Sequence, residues 1–233
     1  MAYCSNSMAM LSIFFLLFEL PFLVFSAYQT FVLPSGGAES FVFPSGGDEF
    51  YASVNDGRVV KYGDAYHGLR EVGPAGGLAS VLSISAGGRL YKWLDGLDVD
   101  QKTGKIYFTD VSSVYNFSQR QQSISSGDAT GRLIEFDPLT GIARELIRTG
   151  LQGPGGVATS NDGSFVLYSE FVANKVSKYY LTGPKANTQE IIFNFSGPAN
   201  IKRLPSGNYW VALNIGAFGP SGYKIDQFGN ILN

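Results

Sequence analysis

Apolar and polar positions recur in one order along most of this chain. A short apolar strand comes first, then a polar turn containing Gly, an aromatic-rich strand, and a strand that alternates. One copy reads GLDVDQKTGKIYFTD (Gly96 to Asp110) followed by TGRLIEFDPLTG (Thr130 to Gly141). The next reads GGVATSNDGSFVLYSEF (Gly155 to Phe171) followed by NKVSKYYLTGP (Asn174 to Pro184). A third reads NIKRLPSGNYWVALN (Asn200 to Asn214) followed by GYKIDQFGN (Gly222 to Asn230). Leu97 and Val157 are 60 residues apart, and Val157 and Ile201 are 44 apart. Repeats of about 40–50 residues with several short strands each are the pattern of β-propeller blades. The predicted fold is therefore all-β, a propeller of the six-bladed type. The longer first interval is taken up by a polar loop from Ser112 to Ala129, which is expected to lie over one rim of the channel.

Upstream, FVLPSGGAE and FVFPSGGDE lie within Phe31 to Phe50 and read as a turn-linked pair of strands. Phe50–Ser53 and Gly57–Tyr62 read as strands around an Asn-Asp-Gly turn. LREVGP, a Gly-Gly turn and LASVLSI form another pair. Two irregularities follow. Between Tyr62 and Asp64 the pattern jumps from a third strand to a second, so the second blade is expected to be shortened. The chain stops at Asn233 just after an FGN turn, so a last blade is expected to be absent and about five blades present. Unclosed sheets would expose edges, which makes self-association through them an expectation.

Composition narrows the class. The 233 residues suit one all-β domain, and 29 Gly with 14% aromatics supply turns and sheet packing. A net charge of −2 argues against nucleic acid as a partner. Met8 to Phe25 is almost continuously apolar, with small residues Val24 and Ser26 ahead of a cleavage position, so residues 1–26 are read as a secretory signal and 28–233 as the propeller domain. Glu19 within that stretch argues against a membrane anchor, and no stable span is expected after its removal. Sequons at Asn116 and Asn194 then suggest a glycoprotein of the vacuole or apoplast, with Asn116 in a polar loop the more accessible. The sole cysteine, Cys4, falls in the signal.

KWLDGLDVDQKTGKIYFTDVSSVY, TGRLIEFDPLTG, GPGGVATSNDGSFVLYSEF, GPANIKRLPSGNYWVALN and KIDQFGNIL together resemble the plant strictosidine synthase-like family, with a core at about residues 90–181. The resemblance implies a secreted or vacuolar six-bladed propeller. It implies Pictet–Spengler condensation of tryptamine with secologanin in secondary (alkaloid-type) metabolism, or a hydrolase activity similar to the paraoxonases and gluconolactonases. The family's general base is a glutamate in the last blade, after the FGN turn. It has no counterpart here, which implies little or no synthase activity for the polypeptide as written.

The resemblance also implies a pocket. Trp93, Val111 and Phe171 match its walls, Asp95 stands where the synthase has a tyrosine, and Gly153 where it has a valine. For the hydrolases' channel metal, Glu39 matches the first carboxylate, whereas Gly155 and Ala199 replace an asparagine and an aspartate beside Asn200. No metal and no cofactor are expected, and a small molecule in the channel is the expected partner.

Each residue also has a plain reading. Trp93 and Phe171 can be sheet packing, and Asp95-Gly96 can be a turn. Asp95 and Glu170 are the candidate substitute acids, though Glu170 can equally pair with a donor on a neighbouring strand. Asp98, Asp100 and Asp110 flank strands, where carboxylates accept from turn backbone. His67, the only histidine, has no nucleophile motif beside it. Lys202 and Arg203 read as solvated. Three functional readings stand: an enzyme completed by Asp95 or Glu170, a non-catalytic secreted binding or defence glycoprotein, and a truncated splice form or gene-model fragment.

Overall fold

The computed structural model describes residues 38–42, 51–54, 68–71, 80–214 and 220–232. The segment read as a signal, Cys4, His67 and the irregularity near Tyr62 lie outside them. Three hairpins come first: β1 (Ala38–Val42) with β2 (Tyr51–Val54), β3 (Leu69–Glu71) with β4 (Ser80–Ser83), and β5 (Ser85–Ala86) with β6 (Arg89–Leu90). The pair expected from LREVGP–LASVLSI is present. Ala38–Val42, in the duplicated FV-PSGG region, pairs instead with Tyr51–Val54, the strand expected to pair across the Asn-Asp-Gly turn with Gly57–Tyr62, which lies outside the described residues.

Three four-stranded antiparallel meanders follow. The first contains β7 (Leu94–Val99), β8 (Ile106–Asp110), β9 (Gly131–Asp137) and β10 (Ile142–Leu151). The second contains β11 (Pro154–Thr159), β12 (Phe165–Glu170), β13 (Lys175–Tyr180) and β14 (Gln189–Asn194). The third contains β15 (Pro198–Arg203), β16 (Tyr209–Asn214), β17 (Pro220–Ile225) and β18 (Ile231–Leu232). Strand order equals chain order in each, and the first strands β7, β11 and β15 lie side by side. These are blades radiating from a hub, the architecture of a β-propeller, with three blades complete among the described residues.

Side-chain alternation explains the stacking. On β8, Ile106 and Phe108 face the core that holds Leu69, Ala86 and Tyr91, whereas Tyr107 faces the second blade. On β12, Val166 and Tyr168 face the first blade, whereas Phe165 and Leu167 face the third. The middle blade thus buries both faces, and β11 and β12 are buried along their whole length. Fully burying one such side chain contributes about 1.5–3 kcal/mol.

Polar groups join the blades as well. Thr109 Oγ1 donates to Gly155 O at 2.7 Å, and Ser169 Oγ donates to Ala199 O at 2.6 Å. Asp98 accepts from Thr159 N and Oγ1 at 2.7 and 2.9 Å. Each bond runs from one blade to the next, where a buried carbonyl or carboxylate would otherwise be desolvated without a partner.

Candidate functional site

The three first strands share one irregularity. Register shifts at Leu94/Leu97, Pro154/Val157 and Pro198/Ile201 place a β-bulge at residues 95–96, 155–156 and 199–200. A bulge re-aims the side chain it carries. Asp95-Gly96 is therefore a bulge within β7, not the turn that the dipeptide suggests. Asp95, Gly155 and Ala199 occupy the same place in consecutive blades. A side chain at Gly155 would begin 3.2 Å from Ser169 Oγ, 3.7 Å from Asp95 Oδ2 and 4.0 Å from Ala199 O. The glycine leaves that space to the half-buried Asp95.

The hub is tight beside the bulges. A Cβ on Gly96 would lie 2.8 Å from Gly156 Cα, and one on Gly156 would lie 2.6 Å from both Ala199 O and Asn200 Cα. Those two positions need glycine because the neighbouring backbone occupies the side-chain volume.

The second strands end at the same level. Val111, Phe171 and Asn214 each donate a backbone N–H, to Trp93 O at 2.7 Å, Gly153 O at 2.8 Å and Gly197 O at 2.8 Å. Trp93, Asp95, Val111 and Phe171 therefore come together at one end of the hub, joined by Asn214, which sequence reasoning missed because the third copy is offset by one residue. Val111 is buried, and Phe171 is 36% exposed with its ring edge toward Gly197.

The polar segment Ser112 to Ala129 is not loop throughout. It contains a 3₁₀ turn at Phe117–Gln119 and a helix, α1, at Arg120–Ser125. Phe117 meets Trp93 edge-to-face with centroids 5.7 Å apart. That contact ties the segment to the hub mouth, and nothing in the local sequence singles Phe117 out.

The remaining acids are engaged in structure. Asp110 accepts from Trp93 N at 2.9 Å and pairs with Arg132, and neither side chain is exposed. Arg132 also donates to Ala86 O, Leu90 O and Glu145 Oε1 at 3.2, 3.1 and 2.9 Å, clipping the segment before β7 onto the first blade. Glu170 repeats the arrangement one blade on. Gln152 N donates to its Oε2 at 2.9 Å, and Lys175 Nζ sits 3.0 Å from its Oε1 as an ion pair. Asp100 accepts from Lys102 N and Thr103 Oγ1 within its own turn.

Asn200 is half-buried at its bulge, and Glu39 lies on β1, whose side chains are not among those described. Among the described residues no three His, Cys, Asp or Glu converge as a metal site. No helix among them is long and apolar enough to cross a membrane.

Two expectations are corrected. Asn194 is exposed at the end of β14 whereas Asn116 is half-buried, the reverse of the accessibility expected from the apolar run IIFNF. Arg203 is half-buried and bonded to Asn161, not solvated.

Fold and hub define a β-propeller whose first strands carry a shared bulge at one end of the blades. By sequence the chain is similar to the strictosidine synthase-like family: residues 95–184 match the strictosidine synthase family model. It is 43% identical over 175 residues to protein strictosidine synthase-like 12 of Arabidopsis thaliana, covering 72% of this chain and 52% of that protein. It is 42% identical over 178 residues to strictosidine synthase of Catharanthus roseus, covering 72% and 50%. The chain thus spans about half the length of the curated relatives it matches. Among solved structures it is similar in fold to a gluconolactonase from Xanthomonas campestris, with TM-score 0.57, 15% identity and coverage of 79% and 57%. It is also similar to regucalcin from Agrobacterium tumefaciens, with TM-score 0.55, 11% identity and coverage of 83% and 58%.

Proposed function

We propose that the hub mouth binds a small organic amine, with the Asp95 carboxylate holding the cationic group and Trp93, Val111 and Phe171 forming the wall. The observation that carries this reading is the bulge shared by three blades. It places Asp95 at a position where the next two blades carry only Gly155 and Ala199. One carboxylate among small residues suits a single cation beside an apolar surface.

For catalysis, we propose that the 233-residue chain binds such an amine with little Pictet–Spengler or hydrolase turnover. The support is that Asp110 and Glu170 are committed to Arg132 and Lys175. A carboxylate held in an ion pair is a poor general base, because taking up a proton breaks the pair.

The test has two arms. Tryptamine is expected to raise the melting temperature of the purified chain, and Asp95→Asn to remove most of that shift. Incubation with tryptamine and secologanin is expected to give product far more slowly than a complete relative does. A shift indifferent to Asp95→Asn sinks the binding reading, and turnover near a relative's rate sinks the second part.

The reading as a secretory-pathway glycoprotein, vacuolar or apoplastic, is supported by the apolar leader pattern and the exposed Asn194. A mobility change on glycosidase treatment of plant-expressed protein, lost in Asn194→Gln, is the expected result.

A further inference from the structure

At the far end of the blades from the hub mouth, a cavity of about 330 Å³ opens between the second and third blades. Its walls come from the turns that follow β11 and β15 and from the β17–β18 turn. Asn161, Asp162, Asn208 and Asp226 supply its polar groups, and Phe165 and Phe228 its rings. The volume falls in the small-ligand range of about 300–1,000 Å³.

The charges around it have a specific layout. Asp162 and Asp226 are both held below the ordinary carboxylate range. For Asp162 the lead cause is hydrogen bonds from Ser164 and Ser160; for Asp226, hydrogen bonds from Asn230 and the turn backbone outweigh the opposing effect of burial. Both are therefore acceptors only. Behind the wall stand two cations. Arg203 donates through Nη1 to Asn161, while its buried Nε has no acceptor among the described residues. Lys178, 3% exposed, rests its Nζ over Phe165 at 4.4 Å and over Phe228 at 5.4 Å. An anion entering would meet Asp162 and Asp226, and a cation would approach Lys178 and Arg203. A neutral hydroxyl meets neither obstacle, because it donates to the carboxylates and accepts from the Asn161 and Asn208 amides. Phe228 is 66% exposed and offers a ring face for an apolar C–H surface.

We propose that this cavity is a binding site for a neutral polyhydroxylated ring, a monosaccharide unit, stacked on Phe228 with its hydroxyls on Asp162 and Asp226. The site is separate from the hub mouth and does not depend on the function proposed there.

Titrating methyl β-D-glucopyranoside into the isotope-labelled full chain tests it by NMR. Saturable shifts of the Asn161, Asn208 and Phe228 amides are expected. Phe228→Ala, on an exposed turn, should weaken binding about fivefold. Asp226→Asn should weaken it as well, and Asp95→Asn should leave it unchanged. Absence of saturable shifts at these amides overturns the proposal. So does an affinity unchanged in Phe228→Ala, and so do equal shifts produced by tetramethylammonium or by acetate.

Discussion

At the residue scale the hub is decided by volume and by buried charge. Gly156 has backbone of the third blade where its side chain would be, so Gly156→Ala must move a strand. The expected cost is about 1–3 kcal/mol, read as a lower denaturant midpoint with unchanged slope. An unchanged midpoint would mean the first strands are not this close. Arg132 and Asp110 are both fully buried. Arg132→Met leaves Asp110 as an uncompensated buried carboxylate and should cost about 3–5 kcal/mol. Replacing both, Arg132→Met with Asp110→Leu, should recover much of that loss. If the double variant is as unstable as the single one, the penalty comes from lost packing, not from stranded charge. Glu170 and Asp95 differ in their backbone setting: Glu170 ends a second strand beside Lys175, and Asp95 sits at the bulge of a first strand. Their sequence contexts make them look alike as acids on apolar strands.

At the scale of elements, the outer strands carry a pH response. Burial of Glu135 favours its neutral form, but hydrogen bonds from Arg144, Tyr107 and Lys105 outweigh burial and hold the carboxyl below its ordinary value. Burial of Glu145 is likewise outweighed, by Arg132 and Arg89. A carboxyl whose folded pKa is depressed adds stability that is complete above its unfolded value. That contribution disappears as pH falls through the folded value. Stability should therefore drop as pH falls below the ordinary glutamate range near 4.5. Glu135→Gln and Glu145→Gln should each flatten the drop while lowering stability at neutral pH. A drop of the same steepness in both variants would place the acid sensitivity elsewhere. The strands themselves were legible in the sequence, because period-two alternation and Gly-bearing turns are local signals. The helix at Arg120–Ser125 was not, since it is polar and short and rests on its tie to the hub through Phe117 and Trp93.

At the scale of the molecule, blades are coupled by hydroxyl-to-carbonyl bonds between residues far apart in the chain, Thr109 to Gly155 and Ser169 to Ala199. Unfolding of residues 94–232 should be one cooperative transition, seen alike by far-ultraviolet circular dichroism and by tryptophan fluorescence. Ser169→Ala leaves the part-buried Ala199 O without that donor and should cost about 1 kcal/mol, weakening the joint between the second and third blades. Separation of the two probes' midpoints in this variant would mark that joint as the source of cooperativity. Coincident, unshifted midpoints would show that apolar packing alone couples the blades.

The repeat in the sequence determined the blade architecture and the order of strands, because alternation and turn chemistry act over a few residues. It also placed Val111 and Phe171 at corresponding points of successive copies, just after the second strands, whereas Trp93 and Asp95 were singled out by the family resemblance. Which acids are consumed in ion pairs, where the first strands bulge, that Asn194 is the exposed sequon and that a cavity opens between the second and third blades were decided only in the tertiary structure. Those properties depend on what the neighbouring blade presents, and that neighbour is tens of residues away in the chain.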